Sequence, residues 1–325
     1  MNLTYSLRLA CICFASFFLL QAVFGGIVNF AARSAIRSAG NMRPRLASRF
    51  LFSLRMMPLG LAAFAVFGLC IPSYLWLEPN SGWEQVGWPC LALAVLGAAS
   101  CFGFLVRLLT AAFRSLQYEK VCGKSGRLTV LGKDSMRATI VPQPAPLLAV
   151  AGIFRSRLIV SANVLQALSP EELDAALHHE RAHRIWRDNF KRLLFLAVSR
   201  GLLFSQGFSA IERQWSKYAE WAADDFAAGG DTQKALSLAA ALVRIARLGT
   251  FGPQHAIVSS FVEGSDLSDR VDRLLRVAHS PDQFSGRMRA VMGGWTLGVA
   301  FFLVGAILWP ASLSAVHFLL ERLID

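Results

Sequence analysis

Four long uncharged stretches interrupt the polar pattern of the chain. They cover Leu9 to Phe30, Met57 to Leu77, Trp88 to Val106 and Ala290 to Leu320. A helix needs about 20 apolar residues to cross the hydrocarbon core of a bilayer, and each stretch is long enough to do so. Pro310 is expected to end the last stretch near Trp309, which leaves a short tail. The pattern predicts an α-helical bundle of four membrane-spanning helices.

The region between the third and fourth stretches contains short predicted strands and helices, as is typical of a water-facing α+β domain. Four short apolar or alternating segments predict strands at Arg127 to Leu131, Met136 to Val141, Leu147 to Val150 and Leu158 to Ser161. Apolar residues at helical spacing predict helices at Thr232 to Leu248 and Arg270 to Leu275, and both are interpreted as scaffold. Another apolar stretch, Leu193 to Phe208, contains Arg200 and Gln206, so it predicts a helix that packs on the bundle or lies in the membrane interface.

Composition agrees with a membrane protein. Hydrophobic residues make up 54% of the 325 residues, charged residues make up 17%, and the mean hydropathy is +0.45. An ordinary soluble domain has about 25% charged residues. We therefore predict a three-span bundle in residues 1–113, a water-facing domain in residues 114–289, and a fourth span with a short outer tail in residues 290–325.

Charge asymmetry predicts the orientation of the spans, because loops inside the cell collect Lys and Arg. The segment between the first two spans contains no acid and these arginines: Arg33, Arg37, Arg43, Arg45, Arg49 and Arg55. The next loop contains Glu78 and Glu84 and no base. We expect an outside N-terminus and a cytoplasmic domain after the third span, in a multi-pass protein of the bacterial inner membrane. A cleaved signal peptide is the competing interpretation of the N-terminus, but only Arg8 precedes the apolar run there.

The net charge and the cysteines change this picture little. The formal charge of +12 does not indicate nucleic-acid binding, because arginines of the inner segment are expected to meet anionic lipid headgroups and no recognition motif accompanies them. The six cysteines, at positions 11, 13, 70, 90, 101 and 122, lie in or beside the spans without CxxC spacing. They are interpreted as small apolar side chains rather than as metal ligands.

The candidate chemistry lies in the motif HExxH. On a helix, His179 and His183 project from the same face and can bind one metal ion, while Glu180 lies beside a metal-bound water. Ser169 and Glu172 upstream, with Pro170 between them, form the pattern of a capping box that begins a helix. The motif predicts a zinc peptidase centre with one Zn²⁺ per chain and Glu180 as its general base.

A peptidase zinc has three protein ligands, so a third residue must come from elsewhere in the chain. Glu220 is the best candidate, in an alanine-rich helical segment that ends at Gly229 and Gly230. Asp224, one turn later, can accept a hydrogen bond from the outer ring nitrogen of a ligand histidine. Asp224 and Asp225 remain the alternatives for the third ligand.

These residues resemble a known group of enzymes. HExxH followed by the ExxAD pattern from Glu220 to Asp224 is similar to the gluzincin metallopeptidases. The segment from Leu168 to Leu173, and the glycine turn and strand from Ala151 to Ser161, resemble two membrane branches of that group, the HtpX and CAAX prenyl protease branch and the BlaR/MecR-type signal transducers. The resemblance implies a gluzincin-type zinc peptidase domain with an active-site HExxH helix. It also implies zinc ligation by His179, His183 and Glu220, and a strand beside the cleft that pairs with an extended peptide substrate.

The order of the spans resembles the BlaR/MecR type more than the HtpX type. Three spans precede the catalytic domain and one follows it, but only a short tail follows Trp309, so a β-lactam-sensing role is not expected. If the chain signals, its expected partner is a cytoplasmic transcriptional repressor. The alternatives are a housekeeping HtpX-like membrane protease and a non-catalytic zinc-binding scaffold, which would have no need of Glu180. Tyr218, His178 and Arg181 are candidates for a second oxyanion donor.

Overall fold

The structure, a computed structural model, describes residues 5–77, 86–132, 136–142, 147–153, 157–198, 205–248, 259–260 and 267–279, together with Ser314 and Phe318. These residues form a bundle of long helices, followed in the chain by a small mixed sheet with shorter helices. The predicted fourth span, Ala290 to Leu320, and its tail lie outside the described residues, apart from Ser314 and Phe318, which are helical.

In the part of the chain that the structure describes, three helical segments are long and apolar enough to cross a membrane. The first is α1 (Tyr5–Gly40); the second comprises α2 (Pro44–Phe64), a π-helical turn (Ala65–Cys70) and α3 (Ile71–Leu77); the third is α4 (Trp88–Ser125). Each contains one predicted span and extends beyond it. At a rise of 1.5 Å per residue, the 36 residues of α1 are about 54 Å long, so this helix is longer than the roughly 30 Å hydrocarbon core.

The arginine-rich segment between the first two spans is mostly helical. Only residues 41–43 separate α1 from α2, and Pro44 begins α2, where a missing N–H costs nothing. Arg33 and Arg37 therefore lie on the end of α1, while Arg45, Arg49 and Arg55 lie on α2. The expectation that these arginines meet lipid headgroups is wrong for Arg55, because its side chain is buried in the protein and only 1% exposed.

Small residues let the helices of the bundle pack closely. α1 contacts both α2 and α4, and a Cβ atom on Gly97 would lie only 2.1 Å from the backbone oxygen of Phe14. Cys70 and Cys90 are buried beside Ile12 and Ala15 in one apolar cluster. All six cysteines are free thiols, and three of them are buried, in agreement with their expected role as apolar side chains.

The sheet contains five described strands in the order β1-β2-β4-β3-β5. They are β1 (Arg127–Leu131), β2 (Met136–Val141), β3 (Leu148–Ala151), β4 (Arg157–Ser161) and β5 (Ser259–Ser260). The four strands predicted from the sequence are confirmed to within one residue at each end. β2 and β4 are parallel, and the other neighbours are antiparallel. The sequence did not predict β5, which pairs with β3 at Ala149 and Val150.

Among the described residues, six further helices with described bounds follow β4 in the chain. They are α5 (Ala162–Ala167), α6 (Pro170–Trp186), α7 (Asp188–Ala197), α8 (Ser205–Ala228), α9 (Thr232–Arg247) and α10 (Leu267–His279). The main core lies between the sheet, α6 and α9, where Leu148, Val160, Leu177, Leu238 and Leu242 are buried together. Both helices interpreted as scaffold are confirmed as helices.

Two predicted boundaries differ from the structure. The stretch Leu193 to Phe208 is not one helix, because the backbone leaves helical geometry at Val198 and α8 begins at Ser205. Both parts pack on the bundle as expected, α7 on α4 and α8 on α1 and α2. The domain boundary predicted after residue 113 falls inside α4, which continues to Ser125. An apolar pattern locates a buried segment, but here it does not show where the helix breaks.

Candidate metal centre

The HExxH motif lies on α6, whose start is well defined. The side chain of Ser169 accepts a hydrogen bond from the backbone N–H of Glu172 at 3.2 Å, and Glu172 Oε2 accepts one from the N–H of Ser169 at 2.9 Å. This confirms the predicted capping box. The helix phase that follows places His179 and His183 on one face, where both are buried.

Glu220 reaches the two histidines from α8. Its Oε2 lies 3.4 Å from His179 Nε2 and its Oε1 lies 3.5 Å from His183 Nε2, while the two Nε2 atoms are 3.1 Å apart. Donors around a tetrahedral zinc ion, with bonds of about 2.0–2.2 Å, are about 3.3–3.6 Å apart. These three side chains can therefore hold one metal ion. The structure brings together the three residues that the sequence singled out as ligands.

Gly229 and Gly230 end α8 as predicted. Their φ angles are 58° and 80°, in the left-handed region that costs glycine little and other residues more. The helix therefore stops shortly after Asp224, and the chain can turn into α9 at Thr232.

Glu180 lies beside this centre and is fully buried. Its Oε2 accepts a hydrogen bond of 3.0 Å from the backbone N–H of Val150 on β3. Its Oε1 is buried and has no hydrogen-bond partner among the described residues. Burial raises the pKa of Glu180 to about 7, against the opposing effect of His183 and His179. A carboxylate with a pKa near neutrality suits a general base.

Each histidine has a carboxylate next to its outer nitrogen. His179 Nδ1 lies 2.9 Å from Asp224 Oδ1, the carboxylate that the sequence singled out for this position. His183 Nδ1 lies 2.8 Å from Asp188 Oδ2. The other carboxylate oxygen of Asp188 faces Lys191 Nζ. When Nδ1 faces a carboxylate, Nε2 is the nitrogen left to face the centre, and it offers its lone pair to a metal ion once it has lost any proton of its own.

Asp188 was not predicted from the sequence. The feature that could have indicated Asp188 is its position as the first residue of α7. It follows Arg187, which ends α6 in the left-handed conformation with φ 53°. This turn folds α7 back so that Asp188 meets His183. The neighbouring Asn189 donates to the backbone oxygens of Val150 at 2.8 Å and Gly152 at 3.2 Å, which holds β3 next to Glu180.

The prediction that α10 is only scaffold is wrong at Arg270. Arg270 is 2% exposed, and its Nε and Nη2 donate to the two oxygens of Asp224 at 2.9 and 2.7 Å. Its Nη1 lies 3.3 Å from Glu220 Oε2. A second guanidinium, that of Arg192 on α7, has Nη2 3.4 Å from Glu220 Oε1. Arginines thus flank both oxygens of the candidate third ligand.

The buried charges of the centre stabilise one another. Burial alone would lower the pKa of His183, but Glu220 and Asp188 outweigh it and raise this pKa to about 10. Burial would raise the pKa of Glu220, but the positive charge of His183 and the hydrogen bonds of both histidines hold it well below its usual range. For Asp224 the effect of burial is outweighed mainly by Arg270, which lowers the pKa of the carboxyl. The two carboxylates are therefore anionic at neutral pH.

The three residues predicted as candidates for a second oxyanion donor lie in different surroundings. Tyr218 lies in the apolar cluster that joins α8 to α1 and α2. The Nδ1 atom of His178 is 2.9 Å from the backbone oxygen of Asp174 on its own helix. Arg181 is partly exposed on α6. No contact described for Tyr218 or His178 supports a role at the metal.

The donor set fits a zinc ion. Two imidazoles and one carboxylate, with a fourth position left for water, are the ligands of many catalytic zinc sites. Oε1 of Glu180, which has no hydrogen-bond partner in the described parts of the chain, also fits, because it is the atom expected to bond such a water. No protein-family model and no curated protein matches the chain. Over the described residues, the fold and the site define a protein with three candidate membrane spans and a buried centre that can hold a metal ion.

Proposed function

We propose that this chain is an integral membrane zinc-dependent endopeptidase that cleaves proteins or peptides on the cytoplasmic face. The observation that carries the proposal is the convergence of His179, His183 and Glu220 beside the buried Glu180. The resemblance to gluzincins, and to BlaR/MecR-type transducers in particular, favours a role in regulated proteolysis or signalling. A small mixed sheet next to the HExxH helix is compatible with that class of fold.

The residues of the centre divide the chemistry between them. A bound zinc ion would polarise the scissile carbonyl and acidify the attacking water. Glu180 accepts the proton of that water and delivers it to the leaving amine. The backbone N–H of Val150 holds one oxygen of Glu180 in place, so that the other oxygen remains for proton transfer. Asp224 and Asp188 keep the histidines in the tautomer that binds metal.

The edge of β3 is where a peptide substrate would lie. Val150 contacts Glu180, so a strand added beside β3 would bring its own backbone close to the centre. In the structure, β5 pairs with this edge at Ala149 and Val150. A peptide substrate at this edge therefore has to displace Ser259 and Ser260 from their place beside β3.

Contacts with the bundle support a cytoplasmic centre. α8 packs against the last turns of α1 and the first turns of α2, the part of the bundle that carries the arginine-rich segment. The guanidinium of Arg45 lies 4.8 Å from the ring centre of Trp186 at the end of α6. The candidate metal centre and the basic end of the bundle are therefore on the same side, the side that loops rich in arginine take in membrane proteins.

The test compares newly formed protein N-termini in cells that express the native chain, Glu180→Gln or Glu171→Gln. Glu171 is the matched control, because it is an exposed glutamate on the same helix. Glu180→Gln keeps size and polarity but removes the basic carboxylate, so cleavage should fall by about 10²- to 10⁴-fold while zinc stays bound. Glu171→Gln should cleave like the native chain.

The same experiment separates an enzyme from a scaffold. If Glu180→Gln produces the same new N-termini as the native chain, the peptidase proposal is wrong. A chain that binds zinc, gives no new N-termini in any form and retains its cellular effects in Glu180→Gln would instead be a zinc-binding membrane scaffold.

A further inference from the structure

Helix α8 connects the bundle to the metal centre. Its first half contains Ile211 and Trp215, which are buried against Val28, Ala32 and Leu51 of α1 and α2. Its second half contains Glu220 and Asp224, which face the centre. The same continuous helix therefore contacts candidate membrane spans at one end and supplies the third ligand at the other.

A close backbone contact fixes α8 against α1. The N–H of Gly207 donates to Asn29 Oδ1 at 3.0 Å. A Cβ atom at position 207 would lie 2.4 Å from Asn29 Oδ1 and 3.0 Å from the backbone oxygen of Asn29. Only glycine permits this approach, so the position of α8 on α1 depends on Gly207.

A buried ion pair fixes α8 against α2. Arg55 Nε donates to Glu212 Oε1 at 2.9 Å, and the two side chains are 1% and 9% exposed. The guanidinium also lies 4.3 Å from the ring centre of Phe208, and its Nη2 is 3.5 Å from the backbone oxygen of Val198. One arginine of α2 thus contacts both the start of α8 and the end of α7. An ion pair this well buried holds a specific geometry, because neither charge can return to water without cost.

We propose that Arg55, Glu212 and Gly207 are positioning residues for the third metal ligand. They set the position of α8 on the spans and, through the helix, the position of Glu220 at the centre. Glu212 and Glu220 are just over two turns apart, about 12 Å along the helix axis. An α-helix is stiff over this length, so a shift at Glu212 moves Glu220 as well. The centre therefore depends on how α1 and α2 pack.

This inference rests on the proposed function, because it requires Glu220 to be a metal ligand. Its consequence for that function is that a rearrangement of the spans alters metal coordination directly, with no need for a messenger in the water-facing domain. Substitution of a residue that orients a metal ligand without binding the metal itself typically lowers metal affinity by about 10- to 100-fold.

The test uses the full-length chain in lipid nanodiscs, loaded with Co²⁺ in place of zinc. Visible absorption of Co²⁺ depends on the number and geometry of its ligands, so it reports the position of Glu220 rather than fold stability. The variants are Arg55→Met, Glu212→Gln and Gly207→Ala. Each should weaken Co²⁺ binding by about 10- to 100-fold and change the absorption spectrum in the direction of Glu220→Ala.

Two matched controls come from the same helix, α2. Arg49→Met removes an exposed arginine, and Gly60→Ala adds a Cβ atom at a glycine with nothing within 4 Å. Both should keep the native affinity and spectrum. The charge exchange Arg55→Glu with Glu212→Arg should recover part of the affinity lost in Arg55→Met, because it restores an ion pair between α2 and α8.

The outcomes separate this inference from the proposed function. If folded Glu212→Gln and Gly207→Ala both show the native spectrum and affinity, the positioning role is wrong, and Glu220 remains a ligand. If Arg55→Met fails to fold, the isosteric Glu212→Gln decides by the same criterion. If Glu220→Ala itself leaves the spectrum unchanged, Glu220 is not a ligand, and both the proposed ligand set and this inference fail.

Discussion

Helices α6 and α10 both place buried charged side chains in the candidate metal centre, but they do so in different ways. α6 contributes His179, Glu180 and His183 from consecutive turns, so one helix creates the whole local pattern. α10 contributes Arg270, which becomes part of the centre only because α10 packs beside α8 and α9. The first contribution is visible as a motif, and the second is one arginine among 33 basic residues. Candidate ligands can thus be recognised from a short stretch of sequence, whereas the residues that orient them are brought to the centre by the packing of separate helices.

The largest expected effect is at the ligands. His183→Ala and Glu220→Ala should each lose most of the zinc, because two remaining ligands bind a metal ion far more weakly than three. The metal content of purified chains checks this, with about one zinc per chain expected for the native protein. Native zinc content in Glu220→Ala would show that the ligand from α8 is not Glu220, and Asp224 or Asp225 would be examined next.

A smaller but still large effect is expected at α10. Arg270→Met removes the cation that faces Asp224 and Glu220, and breaking a buried ion pair from one side costs about 3–5 kcal/mol. The unfolding temperature of the zinc-free protein should fall accordingly, and zinc affinity should fall with it. Arg276→Met on the same helix is the control, because Arg276 is exposed. If Arg270→Met matches this control in both measurements, α10 is scaffold after all.

The two carboxylates behind the histidines sharpen the comparison within the centre. Asp188→Asn and Asp224→Asn should each reduce zinc affinity by about 10- to 100-fold, since each loosens one ligand histidine. Asp224→Asn should also weaken folding more than Asp188→Asn, because Asp224 pairs with the buried Arg270 whereas Asp188 pairs with Lys191, which is 20% exposed. Competition with a metal chelator and thermal unfolding measure the two effects separately. Equal destabilisation by both variants would contradict this assignment of roles.

The smallest effect is expected at the surface contact of the same two helices. Lys217 on α8 lies 2.6 Å from Asp269 on α10, where water screens the pair. The hydrogen bond and charge of Lys217 lower the pKa of Asp269, so any contribution to stability is present above the ordinary pKa of the carboxyl and is lost as the pH falls. Asp269→Asn should therefore leave zinc affinity unchanged and alter thermal unfolding only slightly, with a difference that disappears in high salt. A clear loss of zinc in this variant would mean that the surface contact also positions the centre.

Much of the candidate site could be predicted because its signals are local. The capping box at Ser169 fixes where α6 begins, and the fixed rise of a helix then places His179 and His183 together. Asp224 was predicted for the same reason, since it follows Glu220 by one turn. Asp188 was not, because it meets His183 only through the left-handed turn at Arg187, a conformation that an arginine rarely takes.

The fold, like the candidate site, could be predicted only in part. Apolar length located the first three candidate spans, and alternation located four strands, because burial of apolar side chains leaves a regular pattern. The same pattern ran across the break between α7 and α8, since both sides of that break are buried against the bundle. β5 has two residues and no pattern of its own; its pairing with β3 is a contact between distant parts of the chain.

The sequence by itself determined the main elements and the candidate metal ligands of this protein. These are apolar helices long enough to span a membrane, a helix with HExxH, and a helix with ExxxD that ends at glycines. These follow from short-range periodicity and from the reach of side chains one turn apart. Only the tertiary structure decided which charges meet, as in the pairs of Arg55 with Glu212 and of Arg270 with Asp224. The physical reason is that a buried charge requires a partner, but the choice of that partner is made by the packing of helices far apart in the chain.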